Sequence, residues 1–322
     1  MIIPAKDAAD SLPRALESVS TQTYKSIIEV IVAAADDATA EAAAGATVVR
    51  NPSGATPVGL NLAFSASTAQ VIVRCDAHVA LPPGYVSRAV STLSRTGAQN
   101  VGGMQVPVGE TTWERVIAAA MSSRLGAGDA RYRVGGEEGP AETVYLGAFP
   151  RRALEDAGGY DEAFSRTQDY ELNHRLIASG GTVWFDPRLR VAYRPRGSLA
   201  GLATQYSRYG RAKARFQRKH SGSLRLRQVA PPVVTALLIL SLAGGFWFRP
   251  LWAVPGSYAA TLLAWSVFER CDLGAERLTE NPHLINLARD LDSQSYPEPE
   301  GAGSARAEKP PLIVGTRPAC GS

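Results

Sequence analysis

Acidic residues are missing from a long stretch of this chain: no Asp or Glu stands between Pro187 and Phe268. Arg and Lys cluster in the same region, from Arg188 to Arg227. The net charge of +4 over 322 residues is mild, so it is the segregation of charge that points to an anionic partner near one region. Cysteine is scarce as well. Cys75, Cys271 and Cys320 are odd in number and widely scattered. They show neither a disulfide framework nor zinc spacing, which suits a reducing cytosolic setting. No basic stretch followed by an apolar core and a cleavage site opens the chain, so no secretory signal is expected. No glycine-rich phosphate loop lies between Ile2 and Ser20.

What is present is ordinary for a globular protein, with 45% hydrophobic and 20% charged residues. The length allows one large α/β domain plus an appendage. Met1-Ile2-Ile3-Pro4 reads as the end of a short strand, whose start is expected to lie upstream. A helix follows over 8–21, with Leu12, Leu16 and Val19 along one face. Strands are expected at Ile27 to Val32 and Thr47 to Val49, and a helix at Val58 to Ser67. Val71-Ile72-Val73, apolar and β-branched, reads as a buried strand. This alternation implies a doubly wound, mostly parallel sheet. Beyond Gly102-Gly103 the expectations are a strand at Met104 to Val108, a helix at Thr112 to Ser122, and a loop over the site from Leu125 to Pro140. A strand at Thr143 to Phe149 and a helix at Arg151 to Ala157 come next. A helix starting at Thr167 carries Asp169 and Glu171 in its first turn, and a strand at Thr182 to Phe185 is expected to end at Asp186-Pro187. Gly201 to His220 reads as a basic helix.

Val229 to Phe248 is free of charge over roughly the ~20 residues needed to cross a bilayer. Arg249-Pro250 interrupts it before a second apolar run, Leu251 to Phe268. The pair is expected to form a membrane hairpin, with the basic load before Val229 in the cytoplasm. Pro231, Pro232 and Pro255 keep a buried or re-entrant helical pair open as the other reading. Residues 269–322 form a tail of different character, rich in Pro, Gly, Ser and charge from Ser293 on, where disorder is expected. The expected organisation is a catalytic domain over 1–220, the hairpin over 229–268, and the tail.

The strand at Val71 ends in Asp76 and His78, and Pro82-Pro83-Gly84 then turns the chain. Ligands of open α/β sheets sit at the carboxyl ends of strands. An oxygen and an imidazole one residue apart suit Mn²⁺ or Mg²⁺. Taken alone, they equally suit a turn-forming Asp and a surface His.

Ile2-Ile3-Pro4-Ala5, Asp36-Asp37, Asp76-Ala77-His78 and Gln168-Asp169-Tyr170-Glu171-Leu172-Asn173 occur in this order. Together they resemble the inverting family 2 glycosyltransferases of the GT-A fold. A subgroup active in succinoglycan biosynthesis is resembled more narrowly, through Arg74-Cys75-Asp76-Ala77-His78, Asn100-Val101-Gly102-Gly103, Thr143-Val144-Tyr145-Leu146-Gly147-Ala148-Phe149 and Gln205-Tyr206-Ser207-Arg208-Tyr209-Gly210. The resemblance implies an α/β GT-A fold, a doubly wound mixed sheet followed by a membrane-bound C-terminal region. It implies a nucleotide-diphospho-sugar donor, contacted by the loop of Pro4 and Ala5 and by Asp36 and Asp37. Asp76 and His78 stand at the family's metal-binding D-x-D position, with Mn²⁺ or Mg²⁺ as the expected ion. Asp169 stands at the catalytic base, which takes the proton from the attacking acceptor hydroxyl. Gln205, Arg208 and Tyr209 resemble the Q-x-x-R-W signature with Tyr for Trp, where Arg could hold a phosphate and the aromatic could stack on a sugar. A basic helix lying on anionic lipid is the equal alternative for that segment.

Departures stand beside these matches. Ala8 replaces the acid of the family's first loop, and Gln168 stands where many members carry an acid. The expected partners are the donor, a lipid-linked or polysaccharide acceptor and membrane lipid, with no nucleic acid. The expected location is the cell membrane with a cytoplasmic catalytic domain. The rival expectations are a sugar-phosphate nucleotidyltransferase on the same fold and a non-enzymatic membrane-binding module.

Overall fold

A computed structural model describes residues 1–220 and 226–278, which fall into two units. The first unit begins with alternating elements: β1 (Ile2–Ala5), α1 (Leu12–Ser20), β2 (Ile31–Ala34), α2 (Asp37–Glu41), β3 (Thr47–Arg50), α3 (Thr56–Ala66), β4 (Val71–Val73) and α4 (Tyr85–Thr96). It continues with β5 (Asn100–Pro107), α5 (Thr112–Ser122), α6 (Arg124–Ala127), α7 (Arg131–Val134) and β6 (Gly139–Pro140). β7 (Tyr145–Pro150), α8 (Arg151–Asp156), α9 (Gln168–Ala178), β8 (Val183–Tyr193) and α10 (Leu199–Lys219) complete it.

β1, β2 and β3 form a parallel sheet. The other five strands are ordered β4-β7-β5-β8-β6. A parallel bridge between Ile2 and Arg74 joins the two sheets, and the Cys75 N–H donates to the Ile2 carbonyl at 3.0 Å. The sheet is therefore mixed. β7 runs antiparallel to both β4 and β5, because the chain reaches it after the excursion through α5, α6, α7 and β6.

Alternating side chains build a core on each face. Ile3, Val32, Val73 and Val101 pack with Leu12, Val86 and Leu93 on one side. Ile2, Ile31, Ile72 and Phe149 pack with Leu60, Leu154, Leu172 and Leu176 on the other. The sheet is thus covered by α1 and α4 on one face and by α3, α8 and α9 on the other. Its strand ends are left to carry polar side chains.

Several boundaries differ from expectation: the strand expected at Ile27 to Val32 is β2 at Ile31–Ala34, and the expected loop from Leu125 to Pro140 carries α7 and β6. β5 begins at Asn100 and contains Gly102-Gly103 rather than starting after them. A Cβ on Gly103 would fall 1.7 Å from the Leu189 carbonyl oxygen, so the pair lets β8 cross closely. β8 does not stop at Asp186-Pro187 but runs on to Tyr193. A register shift between Gly102 and Met104 absorbs the missing N–H of Pro187. The Asp186 carboxylate, fully buried, accepts from Arg88 at 2.7 Å, Thr92 at 3.1 Å and the Arg188 N–H at 3.0 Å.

The second unit holds α11 (Leu226–Gly244), a 3₁₀ turn (Arg249–Trp252) and α12 (Ala253–Leu278). Two helices thus stand where a membrane hairpin was expected, yet among the described residues no helix is long and apolar enough to cross a membrane. In α11 the uncharged run begins only after Arg227, and Gly244-Gly245 ends the helix short of Phe248. In α12 the small and polar residues Gly256, Ser257, Tyr258 and Thr261 dilute the apolar run. α12 continues past Phe268, and the expected disordered tail beyond Leu278 lies outside the described residues.

Candidate active site

The end of β4 places a guanidinium between two carboxylates from distant parts of the chain. Arg74 follows the apolar strand and is held by the backbone on both sides, bridging to Ile2 and donating its N–H to the Gly147 carbonyl at 3.0 Å. Only 5% of its side chain is exposed. Its Nε and Nη2 reach Asp76 Oδ1 at 2.9 and 2.8 Å, and its Nη1 donates to Asp169 Oδ1.

Asp169 lies in the first turn of α9, behind Thr167, which takes a left-handed conformation at φ 63°. About a third of the Asp169 side chain stays open. Burial lifts the Asp169 carboxyl above its ordinary value against the pull of Arg74, and nearby Asp76 adds to the lift. Burial also works against the charge of Arg74, but Asp169 and Asp76 hold it well above its ordinary value. The arrangement keeps two acids close together without leaving their repulsion uncompensated.

His78 is exposed two positions beyond Asp76. Among the described residues no group of three His, Cys, Asp or Glu is placed to hold a metal. Both Arg74 contacts to Asp76 fall on Oδ1, so Oδ2 and the open imidazole remain as a two-ligand set. Such a set fits Mn²⁺ or Mg²⁺ when phosphate and water oxygens complete the shell, the usual arrangement for these ions at phosphate substrates.

The paired acids at β2 separate into different tasks. Asp36 caps α2, with Oδ1 accepting the Thr39 N–H at 2.8 Å. Its Oδ2 accepts the Asp7 N–H and the Thr39 hydroxyl, both at 2.8 Å. These bonds, led by that from Asp7, hold the carboxyl below its ordinary range. Asp36 thereby ties the loop after β1, which follows Pro4 and Ala5, to the end of β2. Asp37 is exposed and pairs with Arg50 at 2.7 Å.

Gln205, Arg208 and Tyr209 lie on α10, well apart in sequence from the strand ends. Gln205 donates to the Tyr193 and Tyr209 hydroxyls at 3.1 Å each. The three residues line a cleft of ≈ 280 Å³ together with Arg166, Arg196, Gly201 and Thr204. The far end of α10 is fastened to α9 by buried Glu171, which accepts from Lys219 at 3.1 Å and bonds His220 at 3.2 Å while also pairing with Arg175 at 2.8 Å.

Arg74, Arg166 and Arg196 were not expected at the site. Arg74 carried a signal, a charge at the close of a strand otherwise read as buried. Arg196 lies in the basic, acid-free cluster from Arg188 to Arg227, which pointed to an anionic partner without singling it out, and Arg166 had no signal beyond its nearness to Asp169.

Residues 1–158 match the model of glycosyl transferase family 2. The chain is 32% identical over 200 residues to the succinoglycan biosynthesis protein ExoA of Rhizobium meliloti, covering 61% of this chain and 59% of that relative. The chain thus spans about three-fifths of its curated relative. Among solved structures it resembles the mannosyltransferase PcManGT from Pyrobaculum calidifontis, determined with GDP-Man and Mn²⁺. That match has a TM-score of 0.53 at 19% identity and covers 88% of this chain and 81% of the other. At that identity it speaks to the fold alone.

Proposed function

We propose that this chain, whose residues 1–158 match glycosyl transferase family 2, moves a sugar from a nucleotide-diphosphate donor to a lipid-linked or polysaccharide acceptor. Transfer proceeds by a single displacement with inversion. The observation that carries this reading is the convergence of Asp76 and Asp169 on one buried guanidinium. It sets a phosphate-side acid and a candidate base at one strand end.

Each residue then has a task. Asp169, its carboxyl raised above the ordinary value by burial, takes the acceptor hydroxyl proton as the oxygen attacks the anomeric carbon. A carboxylate raised above its ordinary value is a stronger base than a free one. Arg74 fixes the direction of Asp169 and Asp76 relative to one another and is a positioning residue. Asp76 and His78 would hold Mn²⁺ or Mg²⁺, which supplies charge neutralisation on the departing nucleoside diphosphate. Exposed Asp37 faces the nucleoside with the loop of Pro4 and Ala5, and Asp36 holds that loop in place. Gln205, Arg208 and Tyr209 supply phosphate and sugar contacts from α10.

The protein is read as membrane-associated, with the catalytic unit on the cytoplasmic face of the cell membrane. The acid-free basic helix α10 and the exposed Leu240, Phe246 and Trp247 of the second unit support contact with anionic lipid and apolar chains. PcManGT was determined with a nucleotide-sugar and Mn²⁺, which accords with the donor and ion assigned here.

The decisive experiment pairs transfer with donor binding. Asp169→Asn is expected to lower turnover by ~10²–10⁴-fold, the usual contribution of a positioned general base, while calorimetric titration with UDP or GDP plus Mn²⁺ is unchanged. Wild-type turnover in that variant removes Asp169 from the mechanism.

A further inference from the structure

Beside the joined acids stands a polar group that the ground-state arrangement leaves unused. Tyr160 is 2% exposed, and among the described residues its hydroxyl finds no hydrogen-bond partner. A buried hydroxyl without a partner destabilises a fold, and folded proteins keep few of them. Looseness does not account for this one. Asn61 holds the backbone of Tyr160 on both sides, accepting its N–H at 2.8 Å and donating to its carbonyl at 2.8 Å. Gly158 and Gly159, just before it, take left-handed conformations at φ 70° and 73°. The ring packs edge to face on Phe149, with centroids 6.4 Å apart. The phenol is thus fixed among Asp169, Arg74 and Asp76, and burial followed by Asp169 pushes its pKa up, so that it stays a neutral hydroxyl. Arg74 is near enough to act on it, but the Nε and Nη2 of Arg74 go to Asp76 and its Nη1 to Asp169.

That allotment suits Asp169 while it is ionised. During transfer the acceptor O–H bond breaks, its proton passes to the carboxylate, and the oxygen keeps the electron pair with which it attacks. The neutral acid then holds a guanidinium about half as strongly as the carboxylate did. An N–H of buried Arg74 that loosens from Asp169 needs another acceptor, and the Tyr160 oxygen has its lone pairs unengaged. Resting on the glycosyltransferase reading above, in which Asp169 is the base, we propose that the Tyr160 hydroxyl receives Arg74 once Asp169 has taken the acceptor proton. Tyr160 is then a positioning residue for the base and itself neither gains nor loses a proton. Its lack of a partner before transfer follows directly, because the bond it makes belongs to a state reached only as the reaction proceeds.

The test uses the full chain in detergent and a variant, Tyr160→Phe, that keeps the ring and removes only the hydroxyl. Its Tm is expected to be no lower than that of the wild type, because no bond is lost before transfer. Turnover, followed as nucleoside diphosphate released from UDP-glucose or GDP-mannose with Mn²⁺, is expected to fall about tenfold, the worth of one hydrogen bond to a charged group made on the way to the transition state. KM and the calorimetric affinity for UDP or GDP stay unchanged. A second measurement needs no substrate. In Asp169→Asn the amide stands in for the protonated base, so the hydroxyl is already engaged by Arg74, and adding Tyr160→Phe is expected to lower Tm by about 2–4 °C. A side chain that only packs would shift Tm equally in both backgrounds, and that result overturns the proposal. So does wild-type turnover in Tyr160→Phe, or a loss of turnover matched by a loss of nucleotide affinity. The glycosyltransferase reading fails by a different sign: wild-type protein that binds neither UDP nor GDP, whatever the Tm values do.

Discussion

Arginine appears in two opposite settings in the first unit. Arg74 is buried and saturated by two carboxylates, whereas Arg166, Arg196 and Arg208 are exposed around a cleft that no acid enters. The first setting is closed within the protein and shapes it. The second is open, and its charge is answered only from outside. The difference shows how one side-chain type can organise a site in one place and recruit a ligand in another, with burial and the nearest acids deciding which.

The largest expected effect comes from opening the closed setting. Arg74→Met leaves Asp76 and Asp169 without a shared cation. Breaking a buried pair costs ~3–5 kcal/mol, and the partial exposure of Asp169 places the expected loss at the lower end, about 3 kcal/mol in denaturant or thermal unfolding. The same change removes the one influence that holds the Asp169 carboxyl down. The acid limb of the profile of kcat/KM against pH should therefore move upward in Arg74→Met and stay near its place in Arg74→Lys. An unmoved limb in both variants with full stability would erase the contrast between the two arginine settings.

Asp36 and Asp37 sharpen the comparison on the acid side. Asp36 is bound by three internal donors, and Asp37 is exposed. Asp36→Ala should lower Tm and disorder the loop after β1, with weaker nucleotide binding as the consequence. Asp37→Ala should weaken nucleotide binding at unchanged Tm. Equal Tm values would show that the two acids are not divided as their bonds suggest.

Arg194 stands between the two classes, exposed yet paired with Glu114 at 2.9 Å. Glu114 also accepts the Glu110 and Thr111 N–H groups at 2.9 and 3.0 Å. The Thr111 N–H, then Arg194, pull its carboxyl down to about 2. A depressed carboxyl stabilises the fold above the unfolded carboxylate range, near pH ~4.3 for Glu. That contribution is lost as pH falls toward about 2. Glu114→Gln should flatten this acid-side decline in Tm. The smallest effect belongs to the open setting: Arg196→Gln should change stability by no more than ~0.5 kcal/mol, the usual range for surface sites. A larger loss would mean that the cleft is closed by the protein itself.

Local pattern made much of the fold legible. The β-branched run at Val71 is a strand, and α5 occupies the expected Thr112–Ser122. There Thr111 and Glu114 form a reciprocal capping box. α4 had no counterpart among the expectations. Tyr85, Val86, Ala89, Thr92 and Leu93 share its buried face, but Ser87, Ser91, Ser94 and Thr96 obscured the period. β8 was read too short because Pro187 normally ends a strand, and only the close crossing over Gly103 shows how the strand continues. The apolar runs after Gln228 are helical, but among the described residues no helix is long and apolar enough to cross a membrane.

The sequence by itself determined most of the strands and longer helices, though not α2, α4, α6, α7 or β6, and the presence of Asp76 and Asp169 beside elements of recognisable kind. It also determined the acid-free charge of α10. These are properties of short segments, and hydrophobic period, turn chemistry and charge are written there directly. Only the tertiary structure decided that Arg74 joins Asp76 to Asp169, that Asp36 turns inward while Asp37 stays open, and that Arg166 and Arg196 meet Arg208. Those pairings join residues far apart in the chain, and no local rule encodes which distant side chains the sheet will bring to one end.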